Sequence, residues 1–102
     1  MENKEKKIQE IQILEQNLQN LLLQKQAFNM ELSETVAAKR EIENAGDEVF
    51  KIIGQLMIKS DKSKVKTELS NKERLLELRV KSLEKQEILL TDKIDSLRKE
   101  FF

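Results

Sequence analysis

The chain has 102 residues, with 19 basic and 19 acidic side chains and no Cys, His or Pro. The balanced charge argues against nucleic-acid binding as the main role, and the missing Cys and His remove disulfides, thiolate nucleophiles and the commonest general base and metal ligand. No apolar run approaches membrane-spanning length, so we expect a soluble, cytoplasmic protein that is not an enzyme and needs neither cofactor nor metal. Charged residues make up 37% of the chain and aromatic residues 4%, which is typical of long helices with solvated faces.

A heptad pattern predicts the first helix over residues 5–45. Apolar side chains alternate at spacings of three and four residues, a seam that includes Ile11, Leu14, Leu18, Leu21, Phe28, Leu32 and Ile42. Lys25 and Lys39 occupy the same seam, where polar residues lower stability but help to fix the register of a coiled coil. Gly46 is the expected left-handed cap at the end of this helix.

Residues 47–60 change to a β-branched, apolar character and predict a β-hairpin. The run from Val49 to Lys59 reads as two short strands around a turn at Gly54-Gln55. Alternation places Val49, Ile53, Leu56 and Ile58 on one face and Phe50, Ile52 and Met57 on the other. Because an isolated hairpin is hardly stable in water and has adhesive edges, we expect it to pair with strands of other subunits, in preference to adding a partner peptide as a strand.

A second heptad series predicts a helix over residues 62–102. Leucines recur every seven residues, at Leu69, Leu76, Leu83, Leu90 and Leu97. A second seam position follows four residues after each leucine, and its residues are Glu73, Val80, Glu87, Ile94 and Phe101. Ser60 to Ser63 supply several candidate N-caps. If the chain folds back at the glycine turn, partner residues have numbers that sum to about 108, and the two seams then line up as an antiparallel coiled coil.

The free end of this coiled coil is expected to be apolar. Its candidate docking residues are Ile8, Ile11, Ile13, Leu14, Leu90, Ile94, Leu97, Phe101 and Phe102. These side chains could simply close the coiled coil, but Ile8 and Ile13 lie off the seam, and two adjacent Phe residues cannot both be covered at a helix terminus. Exposed apolar surface there would suit another apolar chain. By contrast, the carboxylates Glu41, Glu43, Asp47 and Glu48 lie among lysines and are interpreted as a solvated face.

With helix, hairpin and helix in this order, the sequence resembles the β-class subunit of archaeal-type prefoldin (GimC). The most specific stretch is Val49-Phe-Lys-Ile-Ile-Gly54-Gln-Leu-Met-Ile-Lys59, preceded by Gly46-Asp47. It is similar to the family's pattern, in which an aromatic residue and Lys precede a Val-Gly or Ile-Gly pair. Three apolar residues and a second Lys follow that pair. The resemblance covers nearly the whole chain, and one hairpin rather than two is typical of the β class.

The resemblance implies a fold, partners and a function. The fold would be mostly α: a long antiparallel two-helix coiled coil whose joining β-hairpin assembles into an inter-subunit β-barrel, as a single prefoldin-like domain over residues 1–102. Two α-class subunits would assemble with four β-class copies, without ATP, nucleic acid or membrane. Val49 to Lys59 would then be the assembly segment. The coiled-coil tips would hold unfolded polypeptide clients, prevent their aggregation and deliver them to a group II chaperonin.

Two rival functions stay open. One is a homo-oligomeric coiled-coil scaffold or adaptor without client-binding activity. The other is a regulator that inserts a coiled-coil arm into the channel of a larger enzyme. The second would need an acidic, metal-directing tip, whereas the tip predicted here is apolar and the joint is β-rich.

Overall fold

A computed structural model describes residues 2–101 of the chain. Helix α1 runs over Glu2–Asn44 and helix α2 over Lys62–Lys99, and between them lie strands β1 (Glu48–Ile53) and β2 (Leu56–Asp61). The two strands form an antiparallel sheet. The predicted fold class is therefore confirmed at the level of one chain: two long helices joined by a two-stranded β-hairpin.

The chain divides into two compact units. The arm unit comprises the described residues of Met1–Phe28 and Arg79–Phe102, and the hairpin unit comprises Asn29–Leu78. The arm unit therefore holds the first part of α1 and the last part of α2. The hairpin unit holds both strands and the helical segments that adjoin them.

Burial in both units follows the predicted heptad seam. Buried side chains include Leu14, Leu21, Val80, Leu83 and Ile94 in the arm unit, and Thr35, Ile42, Val49 and Leu76 in the hairpin unit. Every helical residue of this set occupies a seam position. The Thr35 hydroxyl donates a hydrogen bond to the Glu31 carbonyl at 2.8 Å, which satisfies this polar group inside the seam. The apolar interior is thus a stripe along the helices.

Helix α1 ends without the left-handed glycine that the sequence predicted. Among the described residues, the glycine with a positive φ is Gly54, so the expectation that Gly46 caps α1 is wrong. Instead, the Ala45 N–H donates to the Ile42 carbonyl at 3.3 Å, and the Lys62 ammonium donates to the Ala45 carbonyl at 2.7 Å. A lysine satisfies such carbonyls and is favoured by the helix dipole at this end.

Asp61 caps the start of helix α2. Its Oδ1 accepts a hydrogen bond from the Ser63 N–H at 3.2 Å, which is the geometry of an N-cap and confirms one of the predicted candidates. Asp61 is also the last residue of β2 and pairs with Glu48 of β1. The second strand therefore passes directly into the helix, which fixes the base of the hairpin relative to the start of α2.

Gly54 makes the hairpin turn possible. Gly54 and Gln55 are the two loop residues between the strands, and Gly54 has a φ of 60° while no described non-glycine residue has a positive φ. A positive φ at the first loop position alone is typical of a type II′ turn, whose twist matches that of the flanking strands. An L-residue in this left-handed conformation is less stable by roughly 1–2 kcal/mol.

Two seam lysines of α1 meet glutamates of α2. In the arm unit the Lys25 Nζ lies 2.9 Å from Glu87 Oε2, and in the hairpin unit the Lys39 Nζ lies 2.5 Å from Glu73 Oε2. The hydrogen bond to Glu87 raises the pKa of the Lys25 ammonium above its usual range. The side chains of Lys25 and Glu87 keep only 25% and 29% of their exposure, so neither is fully solvated. The predicted polar interruptions of the seam are therefore charge pairs.

Substitution of the turn glycine should destabilise the chain. We expect Gly54→Ala to lower the free energy of unfolding by about 1 kcal/mol, because alanine disfavours the left-handed region. Gly46→Ala is the matched control, since a Cβ at either glycine would meet nothing within 4 Å and Gly46 has no positive φ. Denaturant unfolding of both variants checks this. Equal losses at the two positions would contradict the turn assignment.

The seam pair of the arm unit predicts a rescue experiment. Lys25→Leu alone should lower the thermal midpoint by a few degrees, because it leaves the half-buried Glu87 carboxylate without its partner. Adding Glu87→Leu should return the midpoint to the wild-type value or above, since an apolar pair fits a heptad seam. Lys85→Leu, at an exposed position of the same unit, controls for the loss of a lysine. A double variant less stable than Lys25→Leu would refute this account.

Candidate functional site

The β-hairpin exposes large apolar side chains on both of its faces. Ile53 pairs with Leu56 and Lys51 with Ile58, so these side chains share the face of Val49. The opposite face carries Phe50, Ile52 and Met57. The register therefore confirms both predicted faces. Six of these residues are exposed, from 44% for Ile58 to 72% for Ile52: Phe50, Ile52, Ile53, Leu56, Met57 and Ile58.

The base of the hairpin is anchored to the helical segments of its unit. Val49 is buried, and the Lys51 Nζ lies 2.6 Å from Glu68 Oε2 of α2. The hydrogen bond from Lys51 lowers the pKa of the Glu68 carboxyl below its usual range, so the pair is ionic at neutral pH. The anchor thus holds the base of the hairpin against the helix, while the apolar side chains from Phe50 to Ile58 stay exposed.

The apolar end of the arm unit combines buried and exposed side chains. Leu14 and Ile94 are buried in the seam, whereas Ile11, Leu90, Leu97 and Phe101 are half-buried. Ile8 and Ile13 are exposed, as expected from their positions off the seam. Phe102 lies outside the described residues. The candidate docking residues therefore differ in what they could offer a partner, and those of the seam mainly close the coiled coil.

A cavity of about 290 Å³ brings some of these residues together, and we call it the end cavity. Its apolar walls are Ile8, Ile11 and Phe101, and its polar walls are Lys4, Gln12 and Arg98. Ile13 is not among the residues that line it. Leu90 instead lines a separate groove in the arm unit with Leu21 and Leu89, between polar side chains of both helices.

The polar wall of the end cavity was not predicted from the sequence. Lys4 lies one helical turn before Ile8, and its Nζ is 6.0 Å from the centre of the Phe101 ring. Arg98 lies one turn before Phe101 and forms an ion pair with Glu15 of α1. The sequence did contain a signal for these two residues. Lys4 lies four residues before Ile8, and Arg98 lies three residues before Phe101, and neighbours at these spacings share one face of a helix.

Two of the four carboxylates near the joint between the helices, Glu43 and Glu48, make ion pairs with lysines. The Lys66 Nζ lies 2.7 Å from Glu43 Oε1 and lowers the pKa of that carboxyl by hydrogen bonding and charge. Lys59 pairs with Glu48 at 3.4 Å across the strands. Among the described side chains, which begin at Asn3, no group of carboxylates could hold a metal ion. No helix within residues 2–101 is apolar enough over sufficient length to cross a membrane.

Comparison with known proteins agrees with this geometry. The family model described as "Prefoldin subunit" matches residues 5–101. The chain is 37% identical over 91 residues to the prefoldin subunit beta of Sulfurisphaera tokodaii, which covers 87% of this chain and 73% of that protein. It is 40% identical over 85 residues to the prefoldin subunit beta of Thermococcus onnurineus, with 81% and 73% covered.

A solved structure gives the same result for the fold. The crystal structure of the prefoldin beta subunit from Thermococcus strain KS-1 superposes with a TM-score of 0.89 and 34% identity, and covers 96% of this chain and 88% of that one. This chain belongs to the prefoldin β-subunit family. Prefoldin subunits are chaperone subunits rather than enzymes, and they assemble with other prefoldin subunits. The resemblance seen in the hairpin motif is thereby confirmed.

Proposed function

We propose that this chain is one subunit of an ATP-independent chaperone that contains two α-class and four β-class prefoldin subunits. In this proposal residues 1–102 act as a single prefoldin-like domain in the cytoplasm. The hairpin assembles with those of the other subunits, and the free ends hold non-native polypeptides until a group II chaperonin receives them. Family membership supports the chaperone role. The exposed hairpin of one unit and the apolar end of the other support separate roles in assembly and in client binding.

The observation that carries the proposal is the exposed hairpin. Its six large apolar residues are uncovered on a sheet of only two strands, so each strand also has an open edge. Exposed apolar patches of this kind are typical of interfaces, and open strand edges invite pairing with further strands. A β-barrel built from the hairpins of several subunits would cover the apolar faces and remove the edges together.

The end of the arm unit supports the holding of clients. Ile8 is exposed, and Ile11 and Phe101 form apolar walls of an open cavity. One such cavity buries little area, so a single contact with an unfolded chain would be weak. Several ends of one assembly acting on the same flexible client would bind it more tightly by multivalency. Because every unfolded chain exposes large apolar side chains, apolar contacts of this kind would suit a range of clients.

The assembly is tested first by mass. We would measure light scattering of this chain alone and after mixing with an α-class subunit of the same source. A new species near six chains in a 2:4 ratio is the expected result. A mass unchanged by the α-class subunit, together with stable self-association, would instead favour a homo-oligomeric scaffold without client-binding activity.

A charged residue on the hairpin should prevent assembly. We expect Leu56→Lys to abolish the mixed species, since it would place an ammonium inside the proposed barrel or against its packed face. Leu23→Lys is the matched control, because both leucines are 65% exposed and Leu23 lies on α1 in the arm unit. Light scattering of both mixtures is the measurement. A complete Leu56→Lys hexamer would rule out the hairpin as the assembly segment.

Loss of the aromatic wall should weaken client capture. We expect Phe101→Ser, alone or with Phe102→Ser, to reduce several-fold the suppression of aggregation of a chemically denatured client, while the assembly keeps its mass. Leu89→Ser controls for the loss of an exposed apolar side chain outside the end cavity. Turbidity after dilution of the client is the readout. Unchanged suppression by the Phe101 variants would overturn the assignment of the client-binding end.

A further inference from the structure

The end cavity has the size of a single side-chain site. Its volume of about 290 Å³ lies at the lower limit of ligand clefts, which span roughly 300–1,000 Å³. Its apolar part consists of Ile8 and Ile11 from α1 and of Phe101, which follows α2. These dimensions suit one large apolar side chain of a client, and they are too small for a helix or a strand of several residues.

The rest of the cavity wall is polar and consists of Gln12 and two cations, Lys4 and Arg98. None of the described residues that line the cavity is acidic. The Lys4 ammonium lies 6.0 Å from the Phe101 ring centre, so the charge stands directly beside the aromatic wall. Of the neighbouring carboxylates, Glu15 pairs with one terminal nitrogen of Arg98 itself, and Glu100 pairs with Lys7 outside the cavity.

Arg98 keeps hydrogen-bonding capacity in spite of its ion pair. A guanidinium has five N–H donors, and the contact with Glu15 is made by Nη2. A second carboxylate could therefore be bound by the remaining donors, while Lys4 supplies a mobile point charge. The same two groups would repel a lysine or arginine placed beside the apolar side chain.

We propose that the end cavity selects client segments in which an acidic residue flanks a large apolar side chain. This proposal rests on the proposed client-holding function of the same end and adds to it a rule of preference. The apolar side chain would enter between Ile8, Ile11 and Phe101, and the flanking carboxylate would lie against Lys4 and Arg98. Segments with basic flanks would bind less tightly, although their apolar anchors are identical.

The experiment compares two fluorescent peptides on the assembled complex. Both peptides carry three Phe anchors in a flexible Gly/Ser/Gln background, so that several coiled-coil ends of the complex can bind one peptide. The first peptide has Asp beside each Phe, and the second has Lys at the same positions. We expect the Kd of the Asp peptide to be at least about five-fold lower than that of the Lys peptide, which exposed charge pairs can supply. This preference should decrease as salt is raised, because salt screens the charges. Anisotropy at two salt concentrations measures both.

Variants assign the preference to this chain. Lys4→Gln should reduce the preference for the Asp peptide, while Lys85→Gln, the same change at an exposed residue outside the cavity, should keep it. Phe101→Ser should weaken both peptides. Equal binding of the two peptides, still weakened by Phe101→Ser, would overturn the charge preference and leave client holding intact. Binding of neither peptide would overturn both, and a preference that survives Lys4→Gln would place its origin elsewhere in the complex.

Discussion

The seam between two antiparallel helices is the constraint on which the rest of the molecule depends. In each unit the buried helical side chains occupy the heptad positions, and Thr35, one of the most buried, still keeps 3% exposure. A stripe of this kind buries far less apolar area per residue than the centre of a globular domain, so the isolated chain is only marginally stable. The hairpin adds to the apolar surface that stays uncovered, because its large apolar residues face solvent. Assembly with other prefoldin subunits would therefore bury apolar surface that one chain leaves exposed, and so contribute to stability as well as to function.

The charge pairs within the seam determine which residues of the two helices meet. Lys25 faces Glu87 in the arm unit. A slip of α2 by one heptad would place Lys25 against Val80 or Ile94, and the carboxylate of Glu87 would lose its partner as well. The apolar positions alone would tolerate such a slip, since they repeat every seven residues. A half-buried charge pair thus favours a single register in a pattern that is otherwise periodic. The end cavity depends on this register, because Ile8 and Ile11 of α1 line it together with Arg98 and with Phe101, which follows α2.

The sequence allowed most of the fold to be predicted but only part of the candidate site. Leu14, Leu76 and Ile94 were recognisable from spacing, and the two hairpin faces followed from alternation around Gly54, because both are local periodic signals. The cap of α1 was predicted wrongly, since glycine is the statistical favourite while the actual partner of the Ala45 carbonyl is Lys62, beyond the hairpin. Lys25 and Glu87 were each recognised as seam residues, yet their pairing was not predicted, because partner numbers that sum to about 108 place Leu83, one turn before Glu87, opposite Lys25. Lys4 and Arg98 were missed because the heptad pattern predicts the residues of the seam and not the charged side chains that flank it.

The two exposed apolar surfaces differ in a way that suits two kinds of binding. The hairpin offers six large side chains and two open strand edges, so a partner can gain both apolar burial and backbone hydrogen bonds. That combination favours a permanent interface. The end cavity offers three apolar residues with cations beside them, so in the proposed function each client contact would be weak and reversible. A chaperone that must release its client needs this difference, because a client held by hairpin-like pairing would be trapped as an added strand. In the proposed function, strand pairing therefore belongs to the hairpin unit and client contact to the arm unit, so the two kinds of binding use different residues.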